Sequence, residues 1–233
     1  MTAAEIEFRF DNVYERFASL GSPGYAQSAK SDFLTQAMET IIKQRYNWKA
    51  NINKTGVEET EKRRRDLSSL IKFKTYTSFT PGFLPNSYNV TLPDTLLVNP
   101  TDYSDVAWFI LYEACTIDKI CSPNFLVKEV TYQELNNLLI DPFNKPAADR
   151  WIFRTDYENR QVSLITDGTF SPTSYTINYI RKPQPVDLQN NIGFPDINDE
   201  LQAEIIEKAV ILTSESVGDP RWQTLKQESM TAE

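Results

Sequence analysis

The chain has 233 residues, 40% of them hydrophobic and 24% charged, so it can bury a core of its own and is neither a disordered chain nor a disulfide scaffold resting on its two cysteines. A formal net charge of −8 argues against a tight duplex-DNA binder, which needs surplus Lys and Arg to displace counterions. Histidine is absent, which removes Ser-His-Asp and Cys-His catalysis and the usual zinc enzymes.

The first segment, residues 1–24, reads as an N-terminal arm. Its start is weakly apolar (Ile6, Phe8, Phe10, Val13, Phe17, Leu20) and it ends in the turn cluster GSPG. It has neither the basic n-region nor the apolar h-region of a signal peptide, so the protein is expected to stay in the compartment that makes it. A strong helical pattern follows near 31–48. Phe33, Leu34, Ala37, Met38, Ile41, Ile42 and Tyr46 form one broad stripe, Ser31 and Asp32 suit its start, and Trp48 sits at its end. Residues 50–57 read as a polar linker. A second helix is expected near 58–70, passing into strand alternation at Ile71, Phe73, Thr75 and Thr77.

From about 71 to 182 the pattern is β-rich. SYNVTLP, LPDTLLV, the long aromatic SDVAWFILYEACTI, FLVKEV, DRWIFRT, QVSLITDG and YTINYIRK are strand candidates, with Asp167-Gly168 as a turn. TYQELNNLLIDPFNKP interrupts them as a short helix, with Thr131 and Glu134 at capping-box positions. Prolines 183 and 185 end the strands, and 183–198 reads as an extended connector. The last helix spans about 198–217. Asp199 and Glu200 lie in its first turn, Leu201, Ile205, Ala209 and Leu212 form one apolar row, and Gly218 and Pro220 stop it. The expected class is α+β: a helical bundle of N- and C-terminal helices with a β-rich insertion, in a domain from 25 to 218 followed by a polar tail, 219–233.

Few residues point to chemistry. Lys62, Arg63, Arg64 and Arg65 are four consecutive cations; they form either a solvated face balanced by Glu58, Glu59, Glu61 and Asp66, or a patch for a protein partner or DNA phosphates. Carboxylates are plentiful but have no motif-like spacing. No glycine-rich phosphate loop or calcium loop is present, so neither cofactor nor metal is expected. Cys115 and Cys121 fit free, buried or half-buried thiols. The aromatic residues mostly fall on strand positions suited to core packing or subunit contact. Trp222, alone in the polar tail beside Asp219 and Arg221, suits an anchor on another chain, or one folded back on its own domain.

In their order, EETEKRRRDLSSLI, VTLPDTLLV, the aromatic strand, VKEVTYQELNNLLIDPFNKP, TINYIRKPQPVDL and ELQAEIIEKAVILTSESVGDPRW resemble the neck or ring proteins of tailed bacteriophages, particularly crAss-like phages, over most of residues 30–222. The resemblance implies a structural virion protein made in the host bacterial cytoplasm. Such a protein would form a homo-oligomeric ring, commonly of twelve copies, join the portal protein to other neck or tail proteins, and surround the DNA channel without catalysis, cofactor or membrane. A carbohydrate- or surface-binding β-rich module of a phage or bacterium is the alternative; it accounts for the aromatics but not for paired terminal helices. A carboxylate-dependent hydrolase is a third reading and needs a cleft with a close acid pair.

Overall fold

A computed structural model describes residues 1–17, 24–46, 61–97, 99, 101–118, 125–148, 150–156 and 160–217. In chain order they form α1 (Ala3–Phe17), α2 (Gln27–Tyr46), α3 (Glu61–Leu67), β1 (Ile71–Tyr76), β2 (Thr80–Pro81), β3 (Ser87–Thr91), β4 (Ala107–Ile117), β5 (Phe125–Glu129), α4 (Tyr132–Ile140), β6 (Trp151–Asp156), β7 (Gln161–Ile165), β8 (Pro172–Arg181) and α5 (Asp199–Val217). The chain is therefore α+β. It divides into two compact units, Met1–Leu70 with Pro183–Glu233, and Ile71–Lys182.

The first unit is helical. α1 opens with a capping box: Glu5 N–H donates to Thr2 Oγ1 at 3.3 Å, and Thr2 N–H donates to Glu5 Oε2 at 2.9 Å. Ile6, Phe10 and Tyr14 recur every fourth residue and are buried, and α1 packs on α5. Residues 3–17 are thus a helix built into the unit, where an arm was expected. The four-residue spacing gives them one continuous stripe to bury, and each fully buried Ile or Phe contributes about 1.5–3 kcal/mol. α2 begins at Gln27, one turn before the expected start, so Ser31 is not a cap. Its hydroxyl donates to the Gln27 carbonyl at 2.7 Å and accepts the Leu188 N–H at 3.0 Å.

The stripe Leu34, Ala37, Met38, Ile41 and Ile42 is buried, α2 packs against α5, and Leu201, Ile205 and Ala209 of α5 are buried as well. Lys30 joins α2 to α1 through Glu7 (3.1 Å) and Asp11 (2.8 Å). The connector 183–198 contains no regular helix or strand. Thr35 Oγ1 accepts its Val186 N–H at 3.0 Å, which leaves that donor satisfied while Val186, Leu188, Phe194 and Ile197 are buried. Trp48, the linker 50–57 and the first residues of the expected second helix lie outside the described residues.

The second unit is one sheet in the order β1-β8-β4-β5-β6-β7-β3-β2. Its pairs are antiparallel except β5–β6, which run parallel. A parallel pair needs a crossover, and α4 lies in that connection. Leu135 of α4 is buried with Val130, Phe153 and Ile165. The larger cluster contains Ile152, Leu164, Tyr175, Ile177 and Tyr179.

Two local expectations differ. Thr131 stands before α4 without a side-chain cap bond; its carbonyl accepts the Glu134 and Leu135 N–H groups instead, so no capping box with Glu134 forms. Of LPDTLLV, residues 92–97 form no strand. The Asp94 carboxylate accepts the Leu96 N–H at 3.1 Å and sets a single tight helical turn at Thr95–Leu97. The Asp167-Gly168 turn is present, with Gly168 at φ +82°.

Candidate interaction surfaces

The basic run of α3 is the first candidate. Residues three apart on a helix share a face, and Lys62 and Arg65 meet two acids one turn apart on α5. Lys62 Nζ lies 2.9 Å from Glu204 Oε1, and Arg65 pairs with Glu200. Glu204 also takes Arg45 from α2 at 2.5 Å. Arg45 is almost fully buried and stands 3.4 Å from the equally buried Asp66, a charge pair without a formal hydrogen bond. Burial pushes the Asp66 carboxyl above its ordinary range and outweighs the pull of Arg45. Arg63 is buried, whereas Arg64 is exposed. The acids that answer Lys62 and Arg65 therefore come from Glu200 and Glu204, more than 130 positions along the chain, and not from the local residues Glu61 and Asp66.

The second candidate lies in the sheet. Arg154 on β6, 5% exposed, reaches Glu113 on β4 at 3.2 Å, Glu129 on β5 at 3.0 Å and Asp156 at 3.4 Å. Glu129 is its register partner across the parallel pair. Tyr175 O–H donates to Glu113 at 3.0 Å. Burial holds the Glu113 carboxyl above its ordinary value despite Arg154 and that hydrogen bond. Burial likewise pushes the Tyr175 phenol well up, so it remains a donor at any ordinary pH. In the sequence, Glu113 and Asp156 are two among 32 acidic residues with no motif-like spacing. Here each is committed to one arginine, a structural arrangement that holds β4, β5 and β6 in register. Among the described residues, no group of three His, Cys, Asp or Glu could hold a metal, and no helix is long and apolar enough to cross a membrane.

Among the described aromatics, Tyr175, Tyr179, Phe153 and Phe170 are core, whereas Tyr76, Trp108 and Trp151 are half-buried. Phe83, Tyr132, Ile140 and Phe143 instead stay in water, the last three on or just after α4. Cys115 is buried and its thiol is pushed up to about 12 by that burial. Cys121, and the tail residues Asp219, Arg221 and Trp222 with the helix stop Gly218 and Pro220, lie outside the described residues.

The helical unit and the sheet unit together correspond to one known pattern: a family model described as phage tail ring protein 3/4 matches residues 1–218. The chain belongs to this family. Two curated relatives from Bacteroides phage crAss001 are similar to it. One, named ring protein 4/5, is 26% identical over 228 residues, covering 91% of this chain and 92% of the relative. The other, named ring protein 3, is 25% identical over 223 residues, again covering 91% and 92%. The ring-family match includes α1, which the sequence reading had set apart from the domain, and it ends before Asp219, Arg221 and Trp222.

Proposed function

We propose that this chain is a non-enzymatic component of a tailed-phage virion, with copies of it forming a ring in the neck or tail that surrounds the path of the genome. The observation that carries this reading is the family match across residues 1–218, which takes in both compact units. The helices from the two ends of the chain act as the rigid scaffold. Twelve copies close the ring, one face meets the portal, and the other meets further neck or tail proteins. The exposed cations Lys62, Arg64 and Arg65, with Asp219, Arg221 and Trp222 of the tail, serve the subunit or partner interface.

Physical chemistry supports the role. A closed ring uses two different faces of each subunit. With a net charge of −8, the protein repels a passing duplex within the roughly 10 Å over which charges are felt at moderate salt. An acidic channel face lets DNA slide, with Lys62–Arg65 turned away from it. Electron microscopy of intact particles tests the reading: density for this chain in a ring around the axis is expected. Purified particles that lack the chain, or a lumen lined by Lys62–Arg65, count against it.

A further inference from the structure

Within the helical unit, α1 and α5 leave a shallow groove between them, lined by Arg9, Asn12 and Val13 on one side and Ala203, Ile206 and Glu207 on the other. Val13, Ala203 and Ile206 form an apolar floor, while the exposed Arg9 and Glu207 give it one charge of each sign. Neither Arg9 nor Glu207 has a side-chain partner among the described residues. We propose that this groove receives the tail segment Asp219–Trp222 of the neighbouring copy in the ring. The Trp222 indole would cover the apolar floor, Asp219 would meet Arg9, and Arg221 would meet Glu207. The inference rests on the ring reading above and names two surfaces that a heterologous ring contact would use.

Charge and reach both favour this occupant. The segment carries one acid, one base and one large aromatic, the complement of the groove's base, acid and apolar floor. Reach argues for a neighbour over the same copy. From Val217 back to Ile206 is eleven helical residues, about 16 Å. From Val217 forward to Trp222 is five residues, at most about 17 Å fully extended. A tail folding back on its own helix would have no residues left for the reversal. A groove on a copy placed beside this one needs no reversal of the chain and has only to lie within the same reach of Val217.

Full-length variants test the proposal by sedimentation, with circular dichroism verifying that each is folded. Trp222→Ala is expected to weaken self-association roughly 30-fold, as loss of an anchoring aromatic does. Arg9→Glu is expected to weaken it too, and the added exchange Asp219→Arg to restore it. Mixing Trp222→Ala, which keeps an open groove, with Ala203→Glu, which keeps a sound tail in front of a blocked groove, is expected to yield a one-to-one heterodimer that neither forms alone. If the wild type assembles and all these variants assemble equally well, the groove proposal falls and the ring stands. If the folded wild type stays a monomer at high concentration, the ring reading falls and takes the groove with it.

Discussion

Replacing Arg154 by methionine removes the cation that, among the described residues, answers Glu113. The two outer partners, Glu129 and Asp156, are 70% and 66% exposed, so their loss costs little. Glu113 is 12% exposed and keeps, among the described residues, the Tyr175 hydroxyl. Leaving a buried charge without its partner costs about 3–5 kcal/mol, and solvent access at Glu113 puts the expected loss near the lower end, about 3 kcal/mol at neutral pH. That corresponds to a fall of about 10 °C in the midpoint of thermal unfolding.

The sign of the pH dependence follows from Glu113. Its folded-state pKa already lies above the ordinary value, so the folded state holds the proton more tightly, and the stability this brings is present in acid and lost as pH rises through the folded value. Without Arg154 the carboxyl moves further up. The difference between variant and wild type therefore shrinks toward pH 4, and Glu113→Gln added to Arg154→Met recovers part of the loss at pH 7. Denaturant unfolding at pH 4.5 and 7 measures both. An equal loss at the two pH values, with no recovery in the double variant, would mean that the arginine stem and not its charge matters, and would refute the argument.

Arg45→Met in the helical unit leaves the buried Asp66 unpaired and is expected to cost about 3 kcal/mol by denaturant unfolding, whereas Lys62→Ala, losing an exposed pair to Glu204, costs less than about 1 kcal/mol. Cys115, buried with its thiol raised to about 12, should resist iodoacetamide in the native protein and react once unfolded, as read by peptide mapping; native labelling at the rate of a free thiol would contradict its placement. Gly168→Ala, at φ +82° with the Asn86 amide 2.6 Å from where the new methyl would sit, should lower stability by about 1 kcal/mol or more, and a thermal midpoint equal to the wild type would count against the turn geometry.

Long apolar periods were legible in the sequence. The α2 stripe and the α5 row, each with side chains at three- and four-residue spacing, fixed where those helices lie, and prolines 183 and 185 marked the end of β8. The capping box of α1 was also written there, as Thr2 and Glu5 three apart, but the apolar residues beside it are sparse enough to read as an arm. What a sequence conceals is pairing at a distance. That Lys62 and Arg65 answer Glu204 and Glu200, or that Arg154 gathers acids from two other strands, depends on which elements the fold makes neighbours. Proximal alternatives such as Glu61 hid the first, and an abundance of carboxylates hid the second. Hydroxyl groups such as Ser31 and Thr35, which satisfy the connector's amides, carry no local signal at all.

The helical unit is assembled from both ends of the chain, which has a consequence during synthesis. At roughly 5–20 residues per second, the ribosome takes about ten seconds or more to travel from the end of α2 to the start of α5. Over that interval α2 waits without α5, the helix it packs against. A product cut short anywhere in the sheet could never close the helical unit, so only messages read nearly to completion yield that unit folded.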